Sequence, residues 1–177
     1  PDIKRRFQQE AEVLANIRHP NVAQAFSCGV TTDGRPFVVL ELFEGPSLRA
    51  RLTTSGPLPW REALQIGIQV SAALDALHAK GVIHRDVKPD NIMLTTDDAG
   101  QIIVKVIDFG IARLTEDYID PSTKGFTRIS PRFPTQTGMA VGTPGYMPLE
   151  AGLSAPDFSF DVYGLAATVH ELCTGHL

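Results

Sequence analysis

The sequence predicts an α+β fold. Three observations carry that expectation: two β-rich runs at 22–29 and 36–43 are split by a turn, a long amphipathic helix follows over 59–80, and a strand at 102–107 precedes a last apolar helix. The 177 residues are 43% hydrophobic and 20% charged, with 15 Gly and 13 Pro, which excludes collagen, coiled coil and wholesale disorder.

Residues 4–18 place Phe7, Leu14 and Ile17 at helical spacing. Glu10 falls on the same stripe, so a carboxylate faces inward. His19-Pro20-Asn21 ends that helix, and the turn Thr32-Asp33-Gly34-Arg35 makes a hairpin of the two β-rich runs. Ser47 is placed to cap a brief helix over 48–53. Along 59–80, Ile66, Val70, Ala73, Leu74 and Leu77 mark one helix face, and Gly81 closes it. A polar loop over 84–91 leads to Ile92-Met93-Leu94, a turn at 97–100 and the strand 102–107. Residues 114–147 are dense in Gly, Pro, Ser and Thr and read as a long functional loop. Val162, Leu165, Ala166, Val169 and Leu172 give the apolar face of the final helix.

Sixteen Lys and Arg against twenty Asp and Glu leave a net charge of −4, so no global basic field draws the chain to nucleic acid or anionic lipid. Any phosphate must be held by a local site. Cys28 and Cys173 match no zinc-ligand spacing and form no disulfide framework, which suits a reducing, cytoplasmic setting. No apolar run is long enough to span a membrane, and no signal peptide opens the chain. Because Pro1 rather than Met comes first and no tail follows Leu177, the sequence is expected to be an internal segment.

The chemistry concentrates in two places. His84-Arg85-Asp86-Val87-Lys88-Pro89-Asp90-Asn91 supplies a carboxylate, a cation two residues on and an amide, while Asp108-Phe109-Gly110 follows a strand. Phosphoryl transfer needs a positioned nucleophile, divalent metal across the phosphates and cations where charge develops. Asp86 could orient a hydroxyl and accept its proton, Lys88 could reach a transferred phosphate, and Asn91 and Asp108 are hard oxygen ligands suited to Mg²⁺.

These two segments resemble the catalytic and metal-binding loops of protein kinases. The resemblance implies a bilobal kinase-like fold truncated at both ends. Residues 1–43 would be the remainder of the small lobe and the hinge strand, and 44–177 the large lobe through its central helix. It implies ATP as phosphoryl donor, Mg²⁺ or alternatively Mn²⁺ as metal, a protein substrate and a homodimer for autophosphorylation, with no nucleic acid or membrane contact.

Residue by residue, Glu10 resembles the helix glutamate that pairs with a strand lysine, and that lysine and the glycine-rich loop would lie before Pro1. Lys4 is too close to Glu10 to serve. Leu40 takes the gatekeeper place, Glu41 and Phe43 would offer backbone groups to adenine, and Met93 would pack below the ring. His84 reads as a packing histidine, stacked with Leu14, Phe109 and Asp161. Gly142-Thr143-Pro144-Gly145-Tyr146-Met147-Pro148-Leu149-Glu150 resembles the end of the activation segment, although Pro148-Leu149 replaces the usual Ala-Pro. Lys88 and Thr143 resemble serine/threonine rather than tyrosine kinases, with Thr143 bonded to Asp86 and Lys88. Thr135-Gln136-Thr137 resembles the phosphorylated run of bacterial members, with Arg85 and Arg113 as its expected anion partners.

Two rival readings differ in class. A pseudokinase or scaffold would keep the fold for binding alone, and a small-molecule phosphotransferase would share the fold but not the substrate. Intact Asp86, Lys88, Asn91 and Asp108 speak against the first; the long loop and the Thr143 run speak against the second. The segment by itself is expected to have negligible activity, since the phosphate-anchoring lysine and glycine lid are missing.

Overall fold

The structure, a computed structural model, describes residues 15–33, 36–97, 99–108, 143–151 and 157–177. Among them run β1 (Ala25–Val30), β2 (Pro36–Leu40), α1 (Leu48–Ser55), α2 (Trp60–His78), a 3₁₀ turn (Pro89–Asn91), β3 (Ile92–Thr96), β4 (Ile102–Val106) and α3 (Phe158–Thr174). The predicted helix over 4–18 falls outside the described residues up to position 14, with Glu10 and Leu14 in it; Ile17 is described and buried.

β1 and β2 pair antiparallel as the predicted hairpin, shorter than the β-rich runs at both outer ends. Just beyond Leu40 the Glu41 N–H bonds to Gln24 O at 2.9 Å, one residue past the last pair of the ladder. β3 and β4 form a second antiparallel pair. Their turn is held by Asp97, whose Oδ1 accepts from the amides of Ala99 and Gln101, and by Gly100 at φ 77°.

The helices follow their sequence signals closely. Ser47 caps α1, its Oγ accepting from Ala50 N at 3.1 Å. Every residue of the predicted α2 stripe, from Ile66 to Leu77, is buried. Past its last turn, Gly81 at φ 73° donates to His78 O and Val82 donates to Leu77 O, the paired bonds that let a glycine end a helix.

α3 departs from its predicted face. Its buried residues are Phe160, Asp161, Gly164, Thr168, Glu171 and Leu172, while Val162 is 61% exposed and Ala166 is exposed. The reason is chemical: this helix turns two carboxylates and a glycine toward the polar loop below, and an apolar stripe cannot reveal that. The Cβ absent from Gly164 would lie 3.0 Å from both Val87 Cβ and Val87 O, so glycine permits α3 to press against the 84–91 loop.

One core, containing Val22, Leu48, Val70, Leu77, Val87, Ile92, Val104 and Leu172, joins the second strand pair to α1, α2 and α3. The 84–91 loop is fastened to this core at its middle by Val87 and just past its end by Ile92.

Candidate active site

The loop between α2 and β3 takes its shape from backbone bonds to buried side chains. Asp161, with a fully buried side chain, accepts from Arg85 N at 2.7 Å through Oδ1 and from His84 N at 2.8 Å through Oδ2. These bonds hold Arg85 at φ 69°, a left-handed conformation that costs a non-glycine residue about 1–3 kcal/mol. His84 is 1% exposed, and its Nε2 meets Ile107 O at 3.0 Å. Burial pushes its imidazole below the ordinary histidine range, against the pull of Asp161, so it is a neutral packing group.

Asp86 follows the strained residue and stands at the centre of a polar cluster. Lys88 Nζ lies 2.6 Å from its Oδ2, Thr143 Oγ1 lies 2.8 Å from its Oδ1, and Asn91 Nδ2 lies 3.0 Å from Oδ2 and 2.8 Å from its backbone O. Lys88 Nζ also donates to Thr143 Oγ1 at 2.6 Å, which closes a triangle between residues from two distant segments. Burial raises the Asp86 pKa, but the bonds from Lys88, Thr143 and Asn91 outweigh it. Its carboxyl is held below the usual aspartate range and stays ionised.

Asn91, buried in the 3₁₀ turn, spends its amide nitrogen on Asp86, which leaves its carbonyl oxygen as the atom able to meet a cation. Its backbone O accepts from Ile107 N at 3.0 Å and so places it beside the end of β4. Asp108 comes next, exposed and at φ 59°. Two hard oxygen donors on adjacent segments fit a divalent metal that draws its remaining ligands from phosphate and water.

The segment after β2 is fixed by a second polar cluster. Glu41 accepts from Gln24 N at 2.7 Å and from Lys105 Nζ at 3.0 Å, and Lys105 lies 5.8 Å from the Phe43 ring centroid. Its N–H being spent on Gln24, Glu41 has its carbonyl to offer a ligand. Met93, partly buried on β3, sits opposite Lys105 in the ladder and bridges to Ser47. An open cleft of about 380 Å³ borders Arg18, His19, Gln24, Glu41 and Lys105 and does not reach Asp86.

The protein kinase domain family matches residues 1–177. The chain belongs to that family. It is 38% identical over 173 residues to the serine/threonine-protein kinase PknK of Mycobacterium tuberculosis, covering 97% of this chain and 14% of PknK. It is 36% identical over 179 residues to PknB of Mycobacterium leprae, covering 99% of this chain and 26% of PknB. Its fold superposes on the crystal structure of the Mycobacterium tuberculosis PknI kinase domain with a TM-score of 0.70 at 25% identity, over 99% of this chain and 58% of that one. The chain therefore spans about a quarter or less of these curated relatives.

Of the residues singled out in the sequence, the kinase fold brings Asp86, Lys88, Asn91 and Thr143 into one cluster and places Asp108 at the end of the neighbouring strand. Leu40, Glu41 and Phe43 lie in sequence on one segment, with Phe43 and Met93 both beside Lys105. Glu10, Arg113, Thr135 and Thr137 lie outside the described residues. Arg49 and Glu171 carry no motif of their own and escaped the sequence reading. Glu171 Oε1 meets Arg49 Nη1 at 2.5 Å, while Tyr146 OH bonds both residues and Arg49 Nε reaches Asp90 at 3.2 Å.

Proposed function

We propose that the protein carrying this chain is a serine/threonine protein kinase that moves the γ-phosphoryl group of ATP to a Ser or Thr hydroxyl of a protein. The observation that supports this reading is the Asp86 carboxylate, held ionised by Lys88, Thr143 and Asn91 on a loop pinned from below. In this reading residues 1–43 are small lobe and hinge strand, and 44–177 are large lobe.

Asp86 accepts a hydrogen bond from the substrate hydroxyl and aligns its oxygen with the γ-phosphorus. The new O–P bond forms as the bond to the ADP oxygen breaks, and the hydroxyl proton passes to Asp86. A carboxylate held below the usual range is a weak proton acceptor, so its first contribution is orientation and the proton moves late. Lys88 places its ammonium beside the same carboxylate, where it meets the developing phosphate charge. Asn91 and Asp108 would hold Mg²⁺, which neutralises phosphate charge when bound; Mn²⁺ has the same ligand preference. Leu40, Glu41, Phe43 and Met93 would frame adenine, and Glu10 would steady the phosphate-binding lysine of the complete protein.

Regulation in this reading runs through Thr135 and Thr137. A phosphothreonine there would draw Arg85 and Arg113 together, ordering the loop after autophosphorylation in a homodimer.

The deciding experiment uses the full-length protein, with ATP, Mg²⁺ and a peptide substrate. Asp86→Asn is expected to lower kcat by about 10² or more, and Asp108→Asn to raise the Mg²⁺ requirement. Full activity of Asp86→Asn would overturn the reading. Loss of ATP binding by the wild type would favour a scaffold instead.

A further inference from the structure

We propose that the open cleft beside the segment after β2 is a second binding site, one that takes a small phosphate monoester between Arg18, His19 and Lys105. The cleft does not reach Asp86, so the proposal stands apart from the catalytic reading.

At about 380 Å³ the cleft has the size of a small-molecule pocket. Its one carboxylate is already spent. Glu41 Oε1 accepts from Gln24 N at 2.7 Å and from Lys105 Nζ at 3.0 Å, and Oε2 lies 3.2 Å from the same ammonium. Gln24 in turn uses its amide protons on Ala15 O and Ala25 O, at 3.1 and 3.0 Å. Apart from the Gln24 amide oxygen, the side-chain groups left to meet a ligand are N–H donors. Lys105 Nζ has three protons, and its two contacts to Glu41 leave one to point elsewhere. His19 accepts from Asn21 N through Nδ1 at 3.2 Å, so the neutral ring carries its proton on Nε2 and is a donor there. Arg18 is exposed and adds a planar fork of donors.

Donors from three residues, two of them cationic, around one cavity select an anion with several acceptor oxygens. A carboxylate has two oxygens and a single charge. A phosphate monoester has three free oxygens and a charge of about −1.5 to −2 near neutral pH, enough to engage both cations although Glu41 partly offsets Lys105. The remaining wall, Pro20 and the buried Val22, is apolar, so the group esterified to the phosphate gains by being apolar as well.

Titration calorimetry on the full-length protein at constant ionic strength tests this, with phenyl phosphate as the probe and inorganic phosphate, benzoate and phenol as comparisons. Phenyl phosphate is expected to saturate with a Kd of about 1 mM. Inorganic phosphate should bind about threefold or more weakly for want of the ring, benzoate about tenfold more weakly, and phenol without saturation. Arg18→Gln removes an exposed fork and should weaken phenyl phosphate about tenfold; His19→Asn keeps an acceptor for Asn21 N, loses the distal N–H and should weaken it about threefold. A Kd that stays within about twofold at saturating MgATP supports a separate site, whereas one that climbs in proportion to MgATP places the phosphate in the nucleotide site and overturns the proposal. Binding unchanged in both variants, or no saturation by about 20 mM phenyl phosphate, overturns it too. Inorganic phosphate binding as tightly as the ester would make the free ion the ligand and end the monoester assignment.

Discussion

Arg49 on α1 and Glu171 on α3 lie 122 residues apart in the chain and meet at 2.5 Å. Tyr146, from the segment that follows Thr143, bonds to both, and Arg49 extends to Asp90 of the 84–91 loop. Four elements distant in sequence therefore share one guanidinium. Its planar fork suits such a role, since it presents several donors in fixed directions.

Removing this hub should cost stability. Arg49→Ala leaves the buried Glu171 with the Tyr146 hydroxyl as its remaining partner, and because Arg49 is about a third exposed the loss is expected near 1–3 kcal/mol rather than the larger figure for a fully buried pair. Asp90→Ala, at the exposed end, should cost under about 1 kcal/mol. Urea denaturation of the two variants measures the difference.

The same hub gives a pH dependence of known sign. Burial pushes the Glu171 carboxyl up, but its bonds to Arg49 and Tyr146 win and hold it below the ordinary glutamate value of 4.5. A group depressed on folding stabilises the fold above its unfolded pKa and loses that contribution as pH falls through its folded one. The gap between wild type and Arg49→Ala should be constant from pH 5 to 8 and close below about pH 4.5. Tyr146, pushed up to about 12 by burial and by its bond to Glu171, stays protonated throughout that range.

Gly45 is a second sensitive point. A Cβ there would lie 1.8 Å from the backbone O of Leu94, and a backbone carbonyl paired into a strand cannot move aside cheaply. Gly45→Ala is expected to destabilise by about 3 kcal/mol and to raise the ATP KM, since Leu94 adjoins Met93. Gly56→Ala makes the control. Nothing stands within 4 Å of its added Cβ, and its φ of 73° alone should cost about 1 kcal/mol with ATP binding unchanged. Equal losses in melting temperature would refute the packing argument.

How legible the molecule was in sequence depended on whether local chemistry or distant geometry set each residue. The 84–91 loop and Asp108 were readable because their residue types sit close together in a fixed order. The α2 face was readable because aliphatic residues repeat at helical spacing. On the buried side of α3 Asp161 was readable through the kinase resemblance alone, and Gly164, Thr168 and Glu171 were not, because they are buried by what they touch rather than by what they are. Arg49 looked like any surface arginine, and its partners lie 41 to 122 residues away. Gly45 and Gly164 were legible as linker and helix residues but not as contact points, since a close approach needs both surfaces in view.

Thr143 carries the last prediction. Its hydroxyl donates to Asp86 Oδ1 and accepts from Lys88 Nζ, so it both lowers the charge felt at the carboxylate and holds the lysine in place. Thr143→Val keeps the shape of the side chain and removes both bonds. Burial of Asp86, the largest influence on its pKa, would then be opposed by Lys88 and Asn91 alone, and the pKa should rise. In the proposed reading activity requires the ionised form, so the acid limb of the kcat profile should move to higher pH in the variant. At neutral pH, where Asp86 stays ionised in both proteins, kcat should fall about 10-fold from lost alignment, with the ATP KM nearly unchanged. Profiles of kcat in the full-length protein, carried from about pH 8 down to the lowest pH at which both proteins stay folded, test this directly. An acid limb that does not move, with kcat lowered equally at every pH, would show that Thr143 aligns Asp86 without helping to keep it ionised.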